Sequence, residues 1–230
     1  MSERIALTEL DEQLQEAVAD TRRRVAALHA ELPRWGLVVW TAGNVSERVV
    51  VDRGDGPVKT DLFVIKPSGV SYDELTAETM VVCTLDGEKI DDGTPVSLTP
   101  SSDTAAHAYV YRHRDDVGGV VHTHSPYATA WAARREPIPC ALTMMGDEFG
   151  GDIPIGPFAL IGDDSIGRGI VETLEGSRSP AVLMANHGPF TVGGDARDAV
   201  KAAVMCEEVA RTMSIAELLG DLILRDSIPA

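Results

Sequence analysis

The sequence is poor in cysteine and in positive charge, and it has no long apolar run. Its three cysteines, Cys83, Cys140 and Cys206, are odd in number, widely spaced and without CxxC spacing, which argues against a disulfide framework or a thiolate zinc site. Lys and Arg number 20 against 36 Asp and Glu, and this net charge of −16 argues against nucleic acid or anionic membrane as a partner. Neither a membrane span nor an apolar signal segment is found. We therefore expect a soluble, cytoplasmic protein.

The composition is that of one globular domain. With 230 residues, 44% hydrophobic and 24% charged, the chain can bury about 70% of the surface that its unfolded form exposes. A core of that size needs neither a disulfide nor a metal to hold it together. Any metal site is therefore expected to be functional, and residues 1–230 are expected to form a single domain.

Periodic apolar residues, separated by Gly, Pro and Asp, predict a mixture of helices and strands. The predicted helices are Leu10 to Leu28, closed by Pro33, a helix opened by Pro100-Ser-Ser-Asp-Thr, and Tyr127 to Arg134, Ser165 to Leu174 and Asp195 to Leu219. The predicted strands are Leu37 to Thr41, Arg48 to Val51, Leu62 to Ile65, Met80 to Leu85, Val117 to Thr123, Ala181 to Ala185 and Phe190 to Val192. This order predicts an α/β domain with helices against the faces of a central sheet.

Three histidines follow predicted strands and form a candidate metal site. His122 and His124 are two residues apart, so along an extended strand their imidazoles point to the same side and can converge on one ion. His187 follows another apolar strand and is the candidate third ligand; three histidines with an open position are typical of catalytic zinc sites. The alternative is that all three are surface or turn residues. His29 and His113 fall on predicted polar helix surfaces and receive no role.

Asp103 stands at the start of the second predicted helix and has two interpretations. As an N-cap, its carboxylate would accept N–H groups of the first turn, although Ser101 and Ser102 can do the same. Beside a divalent ion, it can ligate the metal or take a proton from a substrate. His107, one helical turn later, either orients Asp103 or lies on a plain helix face.

Three small polar segments are candidates for phosphate binding: Gly43-Asn-Val-Ser, Lys66-Pro-Ser-Gly and Pro100-Ser-Ser. Each combines hydroxyl or amide side chains with backbone N–H groups, which hold phosphates at turns and helix N-termini. Each is alternatively an ordinary turn, and no Walker or dinucleotide-binding fingerprint occurs. Lys66 can give an anionic substrate the positive charge that this acidic chain otherwise lacks.

Five ordered motifs resemble the class II aldolase/adducin family: Gly43-Asn-Val-Ser, Ile65-Lys-Pro-Ser-Gly-Val, Pro100-Ser-Ser-Asp-Thr, Val121-His-Thr-His-Ser and Asn186-His-Gly-Pro-Phe. The resemblance runs from about Leu14 to Leu219 and is strongest to the family's L-ribulose-5-phosphate 4-epimerases. It implies a three-layer α/β/α fold around a central, largely antiparallel sheet. It also implies a fourfold symmetric homotetramer with active sites between neighbouring subunits, each holding one Zn²⁺, Mn²⁺ or another divalent ion.

The same resemblance assigns roles to individual residues. The metal ligands would be His122, His124 and His187, with Asp103 on or beside the metal. The substrate phosphate would be surrounded by Gly43, Asn44, Ser68, Gly69, Ser101 and Ser102, to which the charge argument adds Lys66. In the loop from Ile138 to Pro154, the acid/base aspartate of the epimerases falls on Asp147, with Glu148 as an alternative neighbour.

The implied activity is the interconversion of a phosphorylated pentulose, L-ribulose 5-phosphate, with D-xylulose 5-phosphate by retro-aldol cleavage and re-addition. The fuculose-phosphate aldolase branch instead carries a tyrosine in the loop, where this chain has only Phe149, and a glutamate in place of Asp103. One feature departs from the epimerases: their tail carries a catalytic tyrosine, whereas the last tyrosine here is Tyr127, so a short tail is expected. An aldolase that releases both fragments and a non-catalytic, adducin-like interaction module stay as alternatives.

Overall fold

The protein, described by a computed structural model over residues 5–220, has a seven-stranded sheet between two layers of helices. The strands are β1 Asn44–Asp52, β2 Pro57–Ile65, β3 Val81–Thr84, β4 Gly119–His122, β5 Ile155–Gly156, β6 Ala181–Met184 and β7 Gly188–Gly193. The helices are α1 Glu12–His29, α2 Glu31–Arg34, α3 Thr104–His113, α4 Pro126–Arg134, α5 Thr143–Phe149, α6 Ser165–Leu174 and α7 Ala196–Leu219. Three short 3₁₀ turns cover Leu7–Glu9, Tyr72–Glu74 and Ala77–Thr79.

The strand order in the sheet is β3-β2-β1-β4-β7-β6-β5. Neighbouring strands are antiparallel except for β5 and β6, which are parallel. The expected three-layer fold with a largely antiparallel sheet is therefore confirmed. None of the helices within residues 5–220 is long and apolar enough to cross a membrane.

The alternation of side chains along the strands builds a core on each face of the sheet. In β4, Val120 joins the cluster under α3 and α6, whereas Val121 joins the cluster under α7. In β6, Val182 likewise faces α3 and α6, and Leu183 faces α4 and α7. Strands buried on both faces explain why short apolar runs, rather than alternating ones, marked them in the sequence.

The predicted strand from Leu37 to Thr41 is wrong. Gly36 and Trp40 have positive φ angles of 69° and 57°, which interrupt an extended backbone at both ends of the segment. Leu37 is nevertheless buried, beside the core of α7, so its apolar character reflects a packed loop. Pro33 does not close the first helix either: α1 ends at His29, and Pro33 lies within the short helix α2, whose first turn tolerates proline.

His29 was predicted on a polar helix surface, but it is fully buried. Its Nδ1 lies 2.7 Å from the carbonyl oxygen of Val25, and its Nε2 accepts the N–H of Val45 at 3.0 Å. The imidazole therefore ties the last turn of α1 to the beginning of β1. Burial lowers the pKa of His29 to about 3, so the ring is neutral in the folded protein.

We predict that His29 makes the protein less stable as the pH falls below 6.5. Because the folded pKa is depressed, the unfolded chain binds a proton that the folded chain excludes between pH 6.5 and about 3. His29→Gln should therefore flatten the dependence of the unfolding free energy on pH by about 1 kcal/mol per pH unit between pH 6 and 5. Urea unfolding at several pH values measures this, and an unchanged slope would contradict it.

Candidate active site

Three central strands, β1, β4 and β7, have neighbouring ends, and these ends lie close together. Asn44, the first residue of β1, pairs with His122, the last residue of β4, and His122 pairs with Phe190 of β7. Residues in register on neighbouring strands point to the same face, here the face covered by α3. His122 lies on that face with Asn44 beside it and Phe190 stacked on its ring at a centroid distance of 4.1 Å.

The three predicted histidine ligands converge. Within residues 5–220, His122, His124 and His187 form a cluster in which one ring nitrogen of each lies within 4.8 Å of the others. The Nε2 atoms of His122 and His124 are 3.0 Å apart, and Nε2 of His187 is buried and finds no hydrogen-bond partner among the described residues. Imidazole nitrogens this close can share a proton or bind one cation, so the arrangement can hold a divalent metal ion.

The surroundings of the cluster favour neutral imidazoles with free lone pairs. Nδ1 of His122 lies 3.0 Å from the carbonyl oxygen of Pro189, which accepts its proton and leaves Nε2 free to face the cluster. Burial lowers the pKa of His122 well below its usual range, and the neighbouring histidines lower it further. Burial also lowers the pKa values of His124 and His187. The protons that would compete with a metal are therefore bound weakly at neutral pH.

Asp103 directs its carboxylate to the cavity that contains the histidine cluster rather than to the helix. It is the residue before α3, yet its side chain makes no capping hydrogen bond, so the N-cap interpretation is wrong. Instead, Oδ2 accepts a hydrogen bond of 2.7 Å from Nδ2 of Asn44, which also donates to Oγ of Ser101 at 3.0 Å. Oδ1 of Asp103 and Oδ1 of Asn44 are buried and have no hydrogen-bond partner in the described part of the chain. Buried orphan oxygens of this kind are available to a ligand.

One open cavity of about 200 Å³ joins the histidine cluster to the candidate phosphate-binding segments. Its lining contains all the predicted metal and substrate residues of those segments, namely Gly43, Asn44, Lys66, Ser68, Gly69, Ser101, Ser102, Asp103, His122, His124 and His187. Pro67 and Pro100 form a β-bridge that holds the second and third segments side by side. The fold thus brings together three segments that are separated along the chain.

Lys66 is a buried cation that has no carboxylate partner among residues 5–220. Its Nζ donates to the carbonyl oxygens of Thr41 and Pro67 at 3.1 and 3.3 Å and lies 5.4 Å from the centre of the Tyr72 ring. Burial lowers the pKa of Lys66 to about 8. An ammonium group held by neutral oxygens in a cavity keeps its charge available for an anion.

Asp147 is not brought to the cavity within one chain. The predicted loop around it contains helix α5, and Asp147 is exposed on that helix. Glu148 forms an ion pair with Lys201 of α7 at 2.7 Å, which gives it a structural partner. The side chains of both residues therefore lie outside the cavity lining of the single chain.

Sequence reasoning missed the residues that hold the elements around the cluster. Helix α4 begins just after His124, and Glu207 of α7 accepts the N–H groups of Tyr127 and Ala128, both at 2.9 Å, at its first turn. No sequence signal marks Glu207, because its partners lie about 80 residues away.

His107 also differs from both of its predicted interpretations, since it is buried and its partner is not Asp103. Its Nδ1 lies 2.7 Å from Oγ of Ser46, which lies 2.7 Å from the hydroxyl of Tyr111. Asn44 and Ser46 are two residues apart along β1 and therefore point to the same face of the sheet. Asp103, His107 and Tyr111 are spaced by about one turn along α3. The two elements are therefore joined by a buried row of polar contacts that begins at the active site.

Known proteins place this geometry in a family. The model of the Class II Aldolase and Adducin N-terminal domain matches residues 23–214. The chain therefore belongs to the class II aldolase and adducin family. One curated relative, the L-ribulose-5-phosphate 4-epimerase UlaF of Salmonella paratyphi C (strain RKS4594), is 42% identical over 208 residues, covering 85% of this chain and 84% of that protein.

Solved structures share the fold. An L-fuculose 1-phosphate aldolase superposes with a TM-score of 0.77 at 27% identity, covering 91% of both chains. YgbL from Klebsiella pneumoniae superposes with a TM-score of 0.72 at 29% identity, covering 90% of this chain and 93% of that one.

We predict that Gly43 tolerates no side chain, because β1 and β4 meet there. Its φ is 78°, and an added Cβ would lie 2.7 Å from Cγ1 of Val38 and 2.8 Å from the carbonyl oxygen of His122. Gly69 has a similar φ of 70° but open space around it, so Gly69→Ala is the matched control. Gly43→Ala should lower the unfolding free energy by about 1–3 kcal/mol more than Gly69→Ala. Equal losses in denaturant unfolding would show that the contact is unimportant.

Proposed function

We propose that this protein is a metal-dependent L-ribulose-5-phosphate 4-epimerase. The observation that carries the proposal is one shared cavity in which three converging histidines face three candidate phosphate-binding segments. The 42% identical relative with that named activity supports the choice of reaction. A non-catalytic, adducin-like module would have no need of neutral histidines converging on one point.

His122, His124 and His187 would hold one divalent ion, and Asp103 would lie on or beside it. Their free nitrogens and the orphan oxygen of Asp103 fit such an ion. When bound, the ion supplies positive charge that offsets the negative charge developing on the substrate as its C3–C4 bond breaks. Zinc and manganese both suit imidazole and carboxylate ligands, and the donor set does not separate them.

The phosphate would lie among the polar segments on the other side of the cavity. Lys66 provides charge, and the hydroxyls of Ser68, Ser101 and Ser102 and the amide of Asn44 provide hydrogen bonds. These contacts hold the phosphorylated fragment while the bond to its aldehyde carbon is broken. Retention of that fragment is what separates an epimerase from an aldolase with the same site.

The reaction conserves all atoms of the substrate. The C4 hydroxyl loses its proton, the C3–C4 bond breaks with its electron pair staying on the C3 fragment, and glycolaldehyde phosphate forms. The aldehyde rotates, the C3–C4 bond re-forms on its opposite face, and the C4 oxygen regains a proton, which gives D-xylulose 5-phosphate. We assign proton transfer at this oxygen to Asp147, contributed by a neighbouring subunit because it lies outside the cavity of its own chain.

We predict that the protein loaded with zinc or manganese converts L-ribulose 5-phosphate into D-xylulose 5-phosphate. NMR that follows xylulose phosphate and free glycolaldehyde phosphate together makes the test. His124→Ala should lose bound metal and activity, whereas His113→Ala, which changes an exposed histidine, should keep both. Free aldehyde without epimer would identify an aldolase instead. If neither product forms, the proposal is overturned.

We predict that Asp147→Asn lowers kcat by about 10²- to 10⁴-fold while the metal content is unchanged. The amide keeps the shape of the carboxylate but cannot take up the proton. Metal analysis and steady-state kinetics measure the two effects, and Glu148→Gln is the neighbouring control.

The subunit origin of Asp147 can be tested by mixing inactive variants. Hybrids of His124→Ala and Asp147→Asn chains should regain part of the activity if each site takes its two groups from different chains. Hybrids without activity would place both groups in one chain. If Asp147→Asn loses as much metal as His124→Ala, the role of Asp147 in proton transfer is contradicted.

A further inference from the structure

We propose that Arg135 and Asn186 form a surface clamp that positions His187, and through it the metal-binding triad. This inference rests on the proposed function. Nε of Arg135 donates to Oδ1 of Asn186 at 2.6 Å, and Asn186 is the residue directly before His187. Both clamp residues are exposed, and neither lines the substrate cavity. Their effect on the site would therefore be one of position only.

The backbone at the clamp needs an external restraint. Arg135 and Asn186 have φ angles of 59° and 58°, and among residues 5–220 only Trp40 is another non-glycine residue with positive φ. Such a conformation is unfavourable for arginine and tolerated by asparagine, and it persists where surrounding contacts enforce it. The hydrogen bond joins two such residues, 51 positions apart, at the point where the chain turns toward His187.

Asn186 also closes the end of helix α4. Its backbone N–H donates to the carbonyl oxygen of Ala132 at 2.9 Å, and its Nδ2 lies 3.5 Å from the carbonyl oxygen of Ala133. The last carbonyls of a helix have no partners within it, so these contacts fasten the turn to the helix end. Arg135, which follows the helix, donates a hydrogen bond to the amide oxygen of the Asn186 side chain.

The clamp links two metal-site histidines through a rigid element. Helix α4 starts two residues after His124, and its far end is fastened to the residue before His187. Glu207 fixes the first turn of the same helix. The rings of His124 and His187 are 5.3 Å apart between centroids, and loosening either end of α4 would let this separation vary. Partners outside the ligand shell influence metal affinity in this way.

The test compares Arg135→Ala with Arg134→Ala. Alanine keeps a Cβ, so the backbone strain at position 135 stays and only the side chain is lost. Arg134 has the same charge on the same helix end but pairs with Glu136 and Glu217, so it is the matched control. Asn186→Gly removes the other half of the clamp while suiting the positive φ. Zinc affinity is measured by chelator competition, and the geometry by the visible absorption of the cobalt-loaded proteins.

Arg135→Ala and Asn186→Gly should each weaken zinc binding by about 3- to 10-fold and change the cobalt spectrum, with little change in the melting temperature of the metal-free protein. The double variant should bind zinc no more weakly than the weaker-binding single variant, because the two residues act as one pair. If Arg135→Ala does not fold, Arg135→Gly, which relieves the backbone strain at this position, is measured in its place.

Two results would overturn the clamp. If Arg135→Ala and Arg134→Ala bind zinc as tightly as the unaltered protein, with the same cobalt spectrum, the clamp has no role although the metal site stands. If the unaltered protein binds neither zinc nor cobalt, the proposed metal site and the clamp both fail.

Discussion

The register of β4 between β1 and β7 is the constraint on which the active site depends. A shift of one residue would turn His122 to the opposite face of the sheet, away from α3 and Asp103. Glycine at position 43 lets β1 approach β4 closely where this register begins, since a Cβ there would meet the carbonyl oxygen of His122. The same register stacks Phe190 on His122, while His124 lies two residues after β4 and His187 directly before β7. The sheet thus determines where an ion can bind before any ion is present.

A second set of contacts holds the candidate site residues that lie outside the strands of the sheet. His124 and His187 lie just outside the strands, His187 in the turn where its N–H donates to the carbonyl oxygen of Met184. Helix α4 connects their surroundings, with Glu207 at its first turn and Asn186 at its last. On the other side, the row of contacts from Asn44 to Tyr111 keeps α3, and with it Asp103, against β1. Groups that bind a ligand are therefore supported by groups that do not touch it.

Much of this arrangement could be predicted from local sequence. Buried strands can be predicted from short apolar runs, and the two-residue spacing predicted the convergence of His122 and His124, although β4 ends at His122. The segment at Leu37 could not be predicted, because its apolar residues resemble a strand although only Leu37 is buried and Val39 and Trp40 are exposed. The burial of His29 and the role of Glu207 depend on partners distant in sequence. The exposed position of Asp147 in one chain likewise follows from helix α5, which the sequence pattern did not reveal.

In the proposed active site, three histidines positioned by the sheet and by α4 share one divalent ion. The most direct test is X-ray absorption at the zinc edge on protein loaded with one equivalent of zinc. Our account predicts three imidazole nitrogens at about 2.0–2.1 Å, with oxygen completing the coordination shell. A sulfur shell near about 2.3 Å, or fewer than two imidazoles, would contradict it.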